Sequence, residues 1–230
     1  SRSRFPCLCE MRQCAESSRS ITAAPLRMFQ RVCCHSLEFC NETLLMHQLR
    51  ALKEAGISEV LICVHERVLP ASWGAYVAQV AQELEVRVEC VIEDQALGNA
   101  GAFKAAEAKI LADDSEAPFI VVNSDVLCTY PLRDLLHTHM KHARECTVLT
   151  TRCTDTDALR NYGVVVIDER TGRVRHFVYK PQTFVSDVIN AGVYVFSPCI
   201  FKRIETGHKV FMQEILVSLC RPKPPTRRAP

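Results

Sequence analysis

From about residue 42 to residue 220, apolar positions alternate between a helical period and short unbroken runs. Leu44, Leu45, Gln48, Leu49, Leu52 and Ala55 share one helix face, and Gly56 stands where a C-terminal glycine cap belongs. Residues 60–64 (VLICV) form a continuous apolar run, as a strand buried on both faces requires. A second helix is predicted over residues 71–84, and residues 86–92 (VRVECVI) keep apolar side chains at every second position, as a strand does. Residues 101–111 are alanine-rich with few β-branched positions and read as helix. Residues 119–122 (FIVV) give the next buried strand. Pro131 opens a helix reaching His142, and residues 146–151 form another strand.

Beyond that point the rhythm changes. Residues 163–167 and 174–179 flank the turn-rich stretch DERTG (168–172), which predicts a hairpin. Residues 188–196 follow as a strand, and Ser197-Pro198 starts a short helix toward Ile204. Helices alternating with strands imply a parallel sheet covered on both faces, with a more antiparallel region after it.

Composition narrows the classes. Hydrophobic residues make up 48% and charged residues 23%, the balance of a soluble globular chain. The 28 basic and 26 acidic side chains leave a net charge of +2, which gives no electrostatic reason to expect nucleic acid or a membrane as partner. No apolar run reaches the roughly 20 residues that span a bilayer. The first 36 residues are rich in arginine and serine, as a transit peptide is, but read as a divergent, poorly ordered leader; residues 221–230 (RPKPPTRRAP) read as a disordered tail. The 13 cysteines show no CxxC pair or zinc spacing, and Cys63, Cys90 and Cys146 lie in strand-like runs as small hydrophobes. Reduced thiols and a cytoplasmic location follow as expectations.

Three segments carry candidate chemistry. EDQALGNAG (93–101) links a strand to a helix, and its glycines permit close approach of a ligand to the backbone. NSDV (123–126) follows a buried strand directly, the position at which open α/β sheets bind ligands. Asp125 there suits Mg²⁺, which takes one or two carboxylates and fills its shell with phosphate oxygens and water; a turn or helix cap is the plainer use of the same residues. NYGVVV (161–166), FVYKP (177–181) and INAGVY (189–194) set glycine or polar groups beside strands, and Lys180 offers an ionic handle for a phosphate. His137, His139 and His142 are read as a solvated helix surface, since their spacing spreads them around the helix.

In this order, these segments, together with LEFCNETLLMHQLRALKEAGI (37–57) and FVYKPQTFVSDVINAGVYVFSP (177–198), resemble the sugar-nucleotide pyrophosphorylases, and within them the mannose-1-phosphate guanylyltransferases. The NSDV and INAGVY forms resemble the catalytic beta-type subunit more than the regulatory alpha-type one. The resemblance spans residues 37–204. It implies a Rossmann-like α/β fold, a mixed, mainly parallel sheet flanked by helices, of the nucleotide-diphospho-sugar transferase type. It also implies a reaction in which mannose-1-phosphate attacks the α-phosphorus of GTP, with Mg²⁺ as cofactor, giving GDP-mannose and pyrophosphate. Glu93 with Leu97, Gly98 and Asn99 would recognise the guanine, and Asp125 would hold the metal. Gly163, Tyr179 and Asn190 would line the sugar pocket, and Lys180 would bind the sugar phosphate. Homo- or hetero-oligomers with related subunits are implied as well.

The chain departs from the family pattern at three places. No glycine-rich loop, and no convincing first strand, is read in SSRSITAAPLRMFQRVCCHS (17–36). Tyr179 stands where the pattern has glutamate. The second metal-binding aspartate, in a W-x-D-I-G segment, is missing, and the single tryptophan, Trp73, lies elsewhere. The expectation is therefore an incomplete nucleotidyltransferase-like domain over residues 37–220, active or surviving as a non-catalytic relative that binds a sugar nucleotide or a partner subunit.

Overall fold

The computed structural model describes residues 7–13, 27–32, 38–65, 72–93, 103–112, 116–204 and 210–221. Its strands are β1 (Cys7–Gln13), β2 (Arg27–Val32), β3 (Glu38–Phe39), β4 (Glu42–Thr43), β5 (Glu59–His65), β6 (Arg87–Glu93), β7 (Phe119–Asn123), β8 (Arg144–Arg152), β9 (Gly163–Asp168), β10 (Arg173–Tyr179) and β11 (Val188–Phe196). The helices are α1 (Leu44–Glu54), α2 (Trp73–Leu84), α3 (Glu107–Ile110), α4 (Leu132–His142) and α5 (Met212–Cys220).

Among the described residues, nine strands join in one sheet, ordered β6-β5-β2-β7-β11-β8-β1-β10-β9. The β6-β5-β2-β7 half is parallel, whereas β11 runs antiparallel to β7, β8 and β9. The register of β11 (Val193 opposite Val122, Phe196 opposite Phe119) brings its first residues beside the carboxyl end of β7. Tyr179, at the end of β10, pairs with Gly163 at the start of β9, and Ile189 of β11 pairs with Val164. The carboxyl end of the parallel half, the start of β9, the end of β10 and the start of β11 thus share one end of the sheet.

Alternate residues of the central strands feed two separate cores, which explains their unbroken apolar runs. Val60, Ile62, Val64, Ile120, Val122, Val193 and Val195 pack beneath α1, α2 and α4. Leu61, Cys63, Phe119, Val121, Tyr194 and Phe196 face the opposite layer, built on Phe103, Phe201 and α5. There Phe103 and Phe201 approach with ring centroids 4.8 Å apart, and Phe119 stacks on Phe201 at 5.6 Å. Truncating one such side chain to alanine costs about 3–5 kcal/mol. Helix α1 begins on Thr43, whose hydroxyl accepts the Met46 N–H at 3.2 Å, and ends at Gly56 with φ +92°, the left-handed cap expected of that glycine.

The sequence reading missed a strand. β2 lies between β5 and β7, pairing in parallel with both, so a first strand does precede Leu37. Its sequence RMFQRV interrupts the apolar run with Gln30 and Arg31, which is why an apolar-run criterion passes over it. β1 also falls within the stretch expected to be a leader; it pairs antiparallel with β8 and meets β10 at Glu10–Arg173. Helix α5, not anticipated as a separate element, buries Met212, Ile215, Leu216 and Leu219.

The histidine reading also needs correction. His139 is buried, with Nδ1 2.9 Å from Thr147 Oγ1 and Nε2 3.0 Å from Ser197 Oγ. Ser197 already donates its hydroxyl proton to the Arg144 carbonyl at 2.8 Å. Nε2 must therefore donate to Ser197, and Nδ1 accepts from Thr147, so the ring is the neutral Nε2–H tautomer. Burial pushes its pKa down to about 4. Cys40, Cys63, Cys90, Cys128, Cys146, Cys153, Cys199 and Cys220 form no disulfide; Cys63 and Cys146 are fully buried, and Cys90 is half-buried. No helix among the described residues is long and apolar enough to cross a membrane.

Candidate active site at the end of the sheet

The turn after β7 projects Asp125 into solvent while Ser124 behind it is buried. One backbone bond closes the turn, from the Val126 N–H to the Asn123 carbonyl, at a long 3.3 Å. The rest of the support comes from outside. Gln48, 1% exposed in α1, donates from Nε2 to the Asn123 carbonyl at 3.0 Å and to the Val126 carbonyl at 2.7 Å. Both partners can only accept, which fixes the orientation of the amide. The Tyr130 hydroxyl donates to the same Val126 carbonyl at 2.6 Å. Burial chiefly pushes the Tyr130 pKa up to about 12, so this donor keeps its proton at neutral pH.

Beside the turn, β11 bulges between Asn190 and Tyr194. Asn190 Nδ2 donates to the Tyr194 hydroxyl at 2.6 Å, and its Oδ1 accepts the Gly192 N–H at 3.0 Å. One amide proton and one oxygen lone pair remain for a ligand. Tyr194 is 1% exposed; burial raises its pKa, and its hydroxyl also bonds the Asn123 side chain and feels the charge of Asp125. Gly192 has φ +77°, and a Cβ there would lie 2.7 Å from Asn123 Nδ2 and 2.9 Å from Val126 Cγ2. The bulge and the turn therefore pack at a distance that only glycine allows.

Gly163, Tyr179 and Lys180 lie at the same end of the sheet. A Cβ on Gly163 would come within 2.5 Å of Phe177 Cζ, so the start of β9 also needs glycine. Lys180 sits at φ +48°, in the left-handed region that residues with a side chain seldom occupy, and its N–H bonds the Tyr162 carbonyl at 3.0 Å. Its Nζ lies 5.3 Å from the centroid of the half-exposed Tyr179 ring, an exposed cation–π contact where the family pattern has a carboxylate.

Asp125, Asn190, Gly163, Tyr179 and Lys180 are thus gathered at one sheet end. Glu93 ends β6 at the same end, with β5 and β2 between it and β7; Leu97, Gly98 and Asn99 lie outside the described residues. Residue patterns had not singled out Gln48 or Tyr130 for the site. Gln48 was detectable as the one polar member of the apolar stripe of α1. No group of three or more His, Cys, Asp or Glu poised for a metal occurs among the described residues. An exposed single carboxylate at a strand end does suit an ion that draws its other ligands from phosphates and water.

The fold is that of the nucleotidyl transferase class. The nucleotidyl transferase family matches residues 31–223, and the chain belongs to that family. It is 39% identical over 185 residues to the mannose-1-phosphate guanylyltransferase catalytic subunit beta of Danio rerio, covering 78% of this chain and 48% of that protein. It is 37% identical over 169 residues to mannose-1-phosphate guanylyltransferase 1 of Arabidopsis thaliana, covering 74% and 45%. The chain spans about half the length of the curated relatives it matches. Among solved structures, a Bacillus anthracis protein assigned as a glucose-1-phosphate thymidylyltransferase superimposes with a TM-score of 0.71 at 18% identity, covering 84% of this chain and 81% of that one.

Proposed function

We propose that this chain carries the domain that transfers a guanylyl group from GTP to mannose-1-phosphate, making GDP-mannose and pyrophosphate. The observation that supports it is the meeting of the Asp125 turn with the Asn190 bulge at the sheet end, beside Lys180. In this reading Lys180 binds the sugar phosphate, and Asn190, Gly163 and Tyr179 line the sugar pocket. Glu93 and the backbone of Leu97, Gly98 and Asn99 receive the guanine. A phosphate oxygen of the sugar forms the new bond to the α-phosphorus, and the bond to the departing pyrophosphate breaks. Asp125 would hold Mg²⁺, which supplies charge neutralisation across the phosphates when bound. The chain's own part is orientation: fixing the sugar phosphate on one side of the α-phosphorus and the leaving group on the other. A cytoplasmic setting and an oligomer with related subunits belong to the same proposal.

The test is pyrophosphate release by the 230-residue chain given GTP, mannose-1-phosphate and Mg²⁺. Turnover is expected, with Asp125→Asn lowering it by roughly 10²–10³, the scale of one lost transition-state contact. One observation favours a second reading, a non-catalytic binder: residues 17–36 contain no glycine with which to cradle a triphosphate. A folded chain that binds GDP-mannose and releases no pyrophosphate would establish that reading instead.

A further inference from the structure

We infer that Gln48 and Tyr130 form a clamp that positions the metal-binding carboxylate, and that the clamp governs metal-dependent but not metal-independent binding of nucleotide sugar. The inference rests on the proposed role of Asp125. A four-residue turn closed by a single 3.3 Å backbone bond leaves its central aspartate poorly fixed. Here the two carbonyls that bracket that aspartate, those of Asn123 and Val126, are both captured by one side-chain amide, at 3.0 and 2.7 Å. The amide comes from a helix 75 and 78 residues earlier in the chain.

The clamp is a built feature. Gln48 is buried at a position that the apolar stripe of α1 would fill with leucine, between Leu45, Leu49 and Leu52. A buried amide costs free energy unless its hydrogen bonds are made, so the position makes physical sense only with the turn in place. The second donor to Val126, from Tyr130 at 2.6 Å, completes both lone pairs of that carbonyl. Their bonds end on the backbone of the turn, so both act through Asp125 as positioning residues. Groups that orient a metal ligand from behind typically govern ten- to hundred-fold in metal affinity.

The probe is GDP-mannose, titrated onto the full chain with Mn²⁺ and again with EDTA; the ratio of the two affinities is the metal-dependent gain. Asp125→Asn should abolish the gain. Gln48→Leu, which preserves volume, should shrink it by roughly tenfold or more. Tyr130→Phe should shrink it less, since Gln48 still holds both carbonyls. Affinity in EDTA should be unchanged in the two clamp variants, whose substitutions alter no charge. A general loss of structure would lower both affinities together and would overturn the clamp as a positioning device. If Asp125→Asn abolishes the gain and both clamp variants keep it whole, the clamp inference alone fails. If the gain is absent from the unsubstituted chain or survives Asp125→Asn, the role of Asp125 fails and takes the clamp with it. Tyr130→Phe keeps the test decisive should Gln48→Leu not fold.

Discussion

The turn that ends β7 and the bulge in β11 lie side by side and are held in opposite ways. The bulge holds itself: Asn190 bonds the Gly192 N–H and the Tyr194 hydroxyl, two and four residues away. The turn is held chiefly from elsewhere, by two bonds from Gln48 of α1, with one local bond from Tyr130 four residues on. A self-bonded segment keeps its shape wherever its strand goes. A segment held by a distant helix is correct only when the whole parallel half has assembled. The Asn190 bulge thus depends on local sequence, and the Asp125 turn on packing.

Their contact is the place where the comparison is easiest to break. Gly192→Ala would put a methyl group 2.7 Å from Asn123 Nδ2 in a backbone at φ +77°. Left-handed strain and overpacking together should cost roughly 2–5 kcal/mol, read as a lower urea midpoint. Both halves of the site should suffer, with mannose-1-phosphate affinity and metal dependence falling together. If only one falls, the two segments are less coupled than their packing implies.

How much of this was legible in the sequence follows the same division. NSDV and INAGVY carry their chemistry in contiguous residues, and the strands FIVV and VLICV announce themselves as unbroken apolar runs. Gly56 and Gly192 are needed for backbone angles that local pattern can suggest. The clamp is invisible to such reading, because a glutamine within an apolar stripe acquires its meaning from carbonyls 75 residues away. β2 was hidden for a related reason. It owes its central place to two parallel neighbours, and its own sequence, RMFQRV, breaks the apolar run with Gln30 and Arg31. His139 was misread because a helix periodicity does not say that Thr147 and Ser197 will meet it from β8 and the end of β11.

His139 gives a contrast far from the site end. The unfolded chain takes up a proton at the ordinary histidine value of 6.5, whereas burial holds the folded value at about 4. Between those limits the unfolded state binds more protons, so native stability falls as pH falls. Linkage puts the loss at about 3 kcal/mol from pH 6.5 to pH 4. His139→Leu should flatten the stability curve in that window. At pH 7 it should be about 1–3 kcal/mol less stable than the unsubstituted chain, because the Thr147 and Ser197 hydroxyls lose their partner. Chemical denaturation from pH 4 to pH 8 checks both statements. Because the histidine touches neither the turn nor the bulge, the metal-dependent gain at pH 7.5 should not change.

Tyr194→Phe is the mildest test, and the one that most sharply separates the two segments. The ring stays in its core beside Phe196, with centroids 5.6 Å apart, so packing is preserved and only the hydroxyl is lost. Asn190 Nδ2 then loses its 2.6 Å acceptor, at a cost of about 1–2 kcal/mol to stability. The Gly192 N–H still fixes the amide oxygen, so the side chain should swivel about that bond and stay in place. A severalfold rise in KM for mannose-1-phosphate, with little change in kcat, is the expected kinetic result. The Asp125 turn keeps Gln48 and Tyr130, so its metal dependence should be unaltered. A fall in metal dependence instead would mean that the bond between Tyr194 and Asn123 carries support across to the turn, and that the bulge is part of the clamp.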